Sequence, residues 1–140
     1  MIGKIVTGKS FGGAVEYVLR KEKARLLDSD GVDTESIRTI IDDFNFQRKA
    51  RREIAKVVGH ISLSFHRDDA PTLTDDRMRE LATAYMESMG IADTQYIVAR
   101  HNDTEHPHLH IIYNRVKYDR TLVADKNERR RNVKVCKQLK

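Results

Sequence analysis

The sequence predicts an α+β fold, an antiparallel sheet with helices packed on one face, most simply of ferredoxin-like type. Three observations carry the prediction. Residues 56–66 and 107–116 show the two-residue apolar alternation of strands. Residues 11–20, 34–52 and 74–89 place apolar side chains three and four apart, as helices do. The β-rich residues 95–101 precede a polar, turn-prone stretch, so they can fold back on 107–116 as a hairpin.

Each element has a local reason. Residues 1–6 read as a strand, and Gly8-Lys9-Ser10 as a turn with Ser10 placed to cap a helix over 11–20. Val15, Val18 and Leu19 form that helix's apolar stripe, and Tyr17 stands about 100° away from Val18, at liberty to reach a cleft. Residues 24–28 suggest a short strand closed by the turn cluster Asp28-Ser29-Asp30-Gly31. The helix over 34–52 takes Thr34 as its cap and Ile37, Ile40, Ile41 and Phe44 as its buried stripe. In 56–66, Val57, Gly59, Ile61, Leu63 and Phe65 share one face, and Val58, His60, Ser62 and Ser64 the other. The helix over 74–89 has Thr74 as cap, Asp75 and Asp76 at the positive end of its dipole, and Gly90 as its stop. Met78, Leu81, Ala82, Tyr85 and Met89 are its core stripe.

Composition suits a single domain over residues 1–140. With 39% hydrophobic residues the chain can bury one core. No apolar run approaches the roughly 18 residues of a membrane span and no secretory signal is visible, so a soluble cytoplasmic protein is expected. The single Cys136 excludes an internal disulfide and a cysteine-rich zinc module, and its setting in a basic tail reads as incidental. Residues 115–140 hold ten Lys or Arg against three Asp or Glu. Arg129, Arg130 and Arg131 there are candidate phosphate contacts, as is a second cluster at Arg48, Lys49, Arg51, Arg52 and Lys56. Charge runs of this kind alone are more often solvated faces.

The chemistry is concentrated in ten residues, His101-Asn-Asp-Thr-Glu-His-Pro-His-Leu-His110, which hold four of the six histidines in the chain. On a strand, His108 and His110 project from one face while Leu109 and Ile111 face the core. Hairpin pairing carries His101 back over them, completing a three-imidazole site that suits Zn²⁺, Mn²⁺, Co²⁺ or Ni²⁺. Asp103 is placed to orient a ring nitrogen or accept a proton. His106 shares their parity, but Pro107 breaks the strand there, making it the weakest of the four.

The order of these motifs resembles a known family. A tyrosine-bearing N-terminal helix, the middle strand His60-Ile-Ser-Leu-Ser-Phe65, the His-rich segment and Asn114-Arg115-Val116 resemble the relaxases, the mobilisation nucleases of conjugative plasmids and mobilisable transposons within the HUH endonuclease superfamily. The resemblance runs from Met1 to about Val116. It implies Tyr17, ahead of the basic Arg20-Lys-Glu-Lys23, as nucleophile. It also implies His101, His108 and His110 as holders of Mg²⁺ or Mn²⁺, and Ser62 and Ser64 as contacts to the DNA backbone. The implied reaction is cleavage of single-stranded DNA at a transfer origin through a covalent 5′-phosphotyrosine, in a bacterium and alongside accessory relaxosome proteins. Replication initiators of the superfamily place their tyrosine after the histidines, whereas Tyr113 and Tyr118 follow too closely here. One departure concerns the end: such domains continue with helices that close over the DNA, so a truncated or minimal catalytic core is expected.

Physical chemistry makes the pairing of groups sensible. A phenol, with a pKa of about 10, attacks phosphorus poorly unless a base, cation or metal lowers the barrier. The covalent ester preserves bond energy for resealing by a free 3′-hydroxyl. Two other classes stay open at this stage: a metal-dependent phosphodiesterase using water, and a non-catalytic nucleic-acid-binding module with structural histidines.

Overall fold

The structure, a computed structural model, describes residues 1–102 and 106–139. Five strands among them form one antiparallel sheet: β1 (Ile2–Gly8), β2 (Arg25–Asp30), β3 (Val58–Ser64), β4 (Tyr96–His101) and β5 (His108–Asn114). Their spatial order is β1-β3-β5-β4-β2. The helices are α1 (Phe11–Leu19), α2 (Ile37–Arg48), α3 (Asp75–Ser88) and α4 (Glu128–Gln138). Short 3₁₀ turns follow α2 and β3.

The antiparallel α+β architecture is the expected one, but the helices occupy two faces instead of one. Phe11, Val15 and Val18 of α1 and Ile40 and Phe44 of α2 pack with Val58, Ile97, Ala99 and Ile112. The Phe11 and Phe44 rings stack with centroids 4.6 Å apart. On the opposite face, the α3 stripe of Met78, Leu81, Ala82, Tyr85 and Met86 meets Ile61, Leu63, Val98, Leu109, Ile111 and Tyr113, and Val135 of α4 joins them. Each Val, Leu, Ile, Phe or Met among them contributes about 1.5–3 kcal/mol by leaving water. The two-sided core follows from β5, which is central and apolar on both parities beyond His110, since Ile111, Ile112 and Tyr113 are all buried.

Caps decide where the helices start. Ser10 accepts a hydrogen bond from the Gly13 amide and Thr74 from that of Arg77, as expected. For α2 the cap is Ser36, not Thr34, because Ser36 and Thr39 form a reciprocal capping box that satisfies two backbone amides at once. Gly90 takes a φ of 75°, which ends α3 at the expected place. Cys136 is no incidental tail residue: it is buried, and α4 packs on β1 through it. Beside it the Asn132 amide donates to the Gly3 carbonyl at 2.8 Å and accepts from the Tyr85 hydroxyl at 2.6 Å.

Strand register positions the site. His110 is paired with Ser62 on one side and Ala99 on the other, and His108 with Ser64 and His101. The neighbouring part of the same face over β1 is uncovered, so Ile2, Lys4 and Val6 are exposed.

Candidate active site

Backbone pairing alone brings three histidines together. His101 ends β4, directly across from His108, and His110 lies two residues further along β5 on the same face. The ring centroids of His101 and His110 are 4.3 Å apart, and His108 is 5.2 Å from each. One ligand atom from each ring lies within 4.8 Å of the others. His101 and His110 are buried and His108 is half-buried.

Hydrogen-bond partners orient all three rings, and at two of them the partner is a carbonyl, which requires an N–H. His101 Nε2 is 2.7 Å from the Val18 carbonyl, an acceptor that only an N–H can satisfy. That carbonyl is in the last turn of α1, at the negative end of the helix dipole, where it lacks an intrahelical donor. His108 Nδ1 is 3.2 Å from the His106 carbonyl. His110 Nδ1 is 2.7 Å from His60 Nε2 and 3.3 Å from Ser62 Oγ. With protons on those nitrogens, the lone pairs sit on Nδ1 of His101 and Nε2 of His108 and His110. This is the orientation by a further hydrogen bond that metal-ligating imidazoles use. Three clustered imidazoles fit a divalent ion, and the donor set favours no single one strongly.

The electrostatics favour a neutral ring at His110 and at His60. Burial, reinforced by His101, His60, His108 and Lys21, lowers the pKa of His110 to about 3. Burial and then His101 lower that of His60. A neutral imidazole keeps the lone pair that a metal requires.

Tyr17 stands at the open side. It is 55% exposed, and its ring centroid lies 6.1 Å from that of His60 and 6.2 Å from that of His110. Lys21 Nζ, one turn further on, is 5.2 Å from the centre of the same ring. Tyr17, Lys21, Ser62, Ser64, His101, His106, His108 and His110 line one open cleft of about 360 Å³. The α1 helix thus buries Val18 in the core, uses the Val18 carbonyl to hold His101, and presents Tyr17 to the cleft.

A family model supplies the decisive comparison. Residues 17–140 match the model described as relaxase, MobA/VirD2-like, nuclease domain. The chain is a relaxase. Comparison with curated proteins returns no match. The match opens at Tyr17 itself and spans the middle strand, the histidine hairpin and α4. Membership carries a DNA-nicking role in general terms, and the five-stranded sheet with its helices is consistent with the HUH fold of relaxases.

The remaining expected residues of this relaxase fall in different places. Ser62 and Ser64 are in the cleft. Asp103 lies outside the described residues, as does Glu105. His106 is exposed at the mouth and is not among the three clustered ligands. Arg129 and Arg130 are exposed beside Thr7, at the end of β1 far from the Ile2–Ser64 pairing, so they are not part of the cleft. Arg131 donates to the carbonyls of Met89, Ala124 and Lys126, tying α4 to the end of α3. From the sequence, His60 lies on the polar face of its strand, the side that lines the cleft if that strand neighbours the histidine strand; the two are neighbours, and His60 Nε2 meets His110 Nδ1. The signal was available in the shared parity of His60 and Ser62, but the 2.7 Å contact depends on which strand neighbours β3. No helix among the described residues is long and apolar enough to cross a membrane.

Proposed function

We propose that this relaxase nicks single-stranded DNA at a transfer origin and starts conjugative mobilisation. Tyr17 Oη attacks the scissile phosphorus, the bond to the 3′ oxygen breaks, and a 5′-phosphotyrosine and a free 3′-hydroxyl result. His101, His108 and His110 hold a divalent ion, Mg²⁺ or Mn²⁺ in use, with Zn²⁺, Ni²⁺ and Co²⁺ also compatible with three imidazoles. Bound there, such an ion would polarise the phosphate and stabilise charge developing on its oxygens.

The protein's own groups do the rest. Lys21 adds positive charge beside the tyrosine, Ser62 and Ser64 hold the backbone of the strand, and His60 keeps His110 in its coordinating tautomer. Asp103 belongs to the same reading as the group that orients His101 or accepts the phenol's proton. Arg129 and Arg130 contribute sequence-independent phosphate attraction away from the cleft. The origin DNA, accessory relaxosome proteins and a bacterial cytoplasm complete the proposed setting.

The observation that carries this reading is Tyr17 in one cleft with the three histidines. Its test is a denaturing gel of the chain with Mn²⁺ and labelled single-stranded origin DNA, wild type beside Tyr17→Phe. An SDS-stable protein–DNA adduct lost in the variant is expected. Cleavage unaffected by the substitution would move the chemistry to activated water, and no cleavage with any ion would leave a binding module.

A further inference from the structure

The chain has six histidines, and four of them, His60, His101, His108 and His110, meet in the cleft described above. The other two meet each other. Beyond Ser64 and His108 the β3–β5 pairing is prolonged by one bond, in which the Phe65 amide donates to the Pro107 carbonyl at 2.9 Å. The same register sets His66 directly across from His106, and His66 keeps an extended backbone with φ −65° and ψ 141°. Flanking a hydrogen-bonded pair, the two take the position at which facing side chains of an antiparallel ladder come closest. Their rings stand nearly perpendicular, with centroids 6.3 Å apart.

That geometry is close to the geometry of two ligands. Imidazoles that share an ion at a metal–nitrogen distance of about 2.1 Å put their ring centres about 5–6 Å apart. His108 stands 5.2 Å from each of its two cleft neighbours, so His66 and His106 need to close by little more than a small rotation of exposed side chains. His66 Nδ1 lies 3.1 Å from the Asp68 amide and 3.3 Å from the Asp68 carboxylate. A proton on Nδ1 donates to that carboxylate and leaves the Nε2 lone pair for an ion, the carboxylate–histidine arrangement that supports metal ligands. An oxygen donor is at hand as well. The Asp69 amide donates to the His66 carbonyl at 2.9 Å, a turn that brings Asp69 back, and Asp69 lines one cavity with both histidines. Two imidazoles and a carboxylate suit Zn²⁺, Ni²⁺ or Cu²⁺, whereas Mg²⁺ prefers oxygen throughout.

We propose that His66 and His106, with the Asp69 carboxylate as a further donor, hold a second divalent transition-metal ion at the end of the β3–β5 pair. The site is separate from the cluster of His101, His108 and His110, and its occupancy needs no DNA. An ion there ties the residues after β3 to those before β5, at a place where Pro107 has no N–H to give the ladder its second bond.

The test counts ions. The metal-stripped full chain is dialysed against Zn²⁺ and the bound zinc is measured, wild type beside His66→Asn, His106→Ala and the double variant. Both positions are exposed and His66→Asn keeps an acceptor for the Asp68 amide, so the variants are expected to fold, as thermal unfolding without metal would verify. Wild type should bind two ions per chain, and each single variant and the double variant one, because both histidines serve the same ion. An unchanged count in either single variant overturns the site, and a wild-type count of zero removes it together with the three-histidine centre. Proton NMR gives an independent reading. The ring Hε1 signals of His66 and His106 should shift over the same range of added Zn²⁺, and a shift of one without the other overturns a shared ion. Asp69→Asn should move that range to higher Zn²⁺, and an unmoved range overturns the part given to its carboxylate.

Discussion

His60 Nε2 lies 2.7 Å from His110 Nδ1, so β3 supplies a histidine that orients a candidate metal ligand without joining the cluster of three. If His110 coordinates through Nε2, its Nδ1–H donates to His60. His60→Gln keeps an acceptor at comparable reach, and His60→Leu removes it. The Leu variant should bind Mn²⁺ about 10–100-fold more weakly, as losses of such supporting partners typically do, with Gln recovering most of the affinity. Isothermal titration calorimetry decides this, and equal affinity of wild type and the Leu variant would make the pair incidental.

A second prediction concerns Gly59, which faces Tyr113 across the β3–β5 pair. A Cβ at Gly59 would collide with the Tyr113 ring, which is fully buried and has no room to withdraw. Gly59→Ala should therefore destabilise the fold by about 1–3 kcal/mol or more, the usual penalty of overpacking. Urea unfolding measures it. Combining it with Tyr113→Leu should relieve the cost, and an additive loss would argue against the collision.

Neighbouring arginines of α4 should behave differently. Arg131 binds three backbone carbonyls, one of them Met89 at the end of α3, whereas Arg129 and Arg130 are exposed. Arg131→Ala should lower the unfolding midpoint by leaving carbonyls without a donor, each hydrogen bond being worth about 1 kcal/mol. The double change Arg129→Ala, Arg130→Ala should leave the midpoint in place and reduce the salt dependence of single-stranded DNA binding. Unchanged salt dependence would remove these two side chains from the DNA contact.

Acid should weaken the metal-free fold. His110 has its pKa lowered from 6.5 to about 3, first by burial and then by the neighbouring histidines and Lys21, and His60 is lowered by burial and His101. Below pH 6.5 the unfolded chain takes up protons that the folded chain refuses. The stabilisation is full above that pH and is lost as pH falls towards 3. Thermal unfolding of the metal-stripped chain at pH 7.5, 6 and 5 should show a falling midpoint, and a His60→Gln, His110→Gln chain a shallower fall. Equal slopes would assign the effect to other groups.

Much of this was legible along the chain because it depends on local periodicity. The strand parities of residues 56–66 and 107–116 foretold which side chains face the cleft and which the core, and they were right for Ser62, Ser64, His108, Leu109, His110 and Ile111. Ser10, Thr74 and Gly90 were readable for the same reason, since caps act within four residues. The cap at Ser36 was missed because Thr34 satisfies the same residue preference, and only the reciprocal bond with Thr39 separates them.

By itself the sequence determined most of the elements, the three ligand candidates and the exposure of Tyr17, because strand and helix repeats dictate where side chains point; it misplaced the end of β2, which runs on to Asp30 through residues expected to turn, because pairing with β4 holds them extended. Tertiary structure alone decided the rest. The order β1-β3-β5-β4-β2 puts His60 beside His110, lays the Val18 carbonyl on His101, covers both faces of the sheet with helices, and draws Cys136 and Arg131 into the α4 packing. These contacts join residues roughly 40 to 130 positions apart. Such long-range neighbours are chosen by which apolar faces bury each other most completely, a property of the whole folded chain that no local pattern encodes.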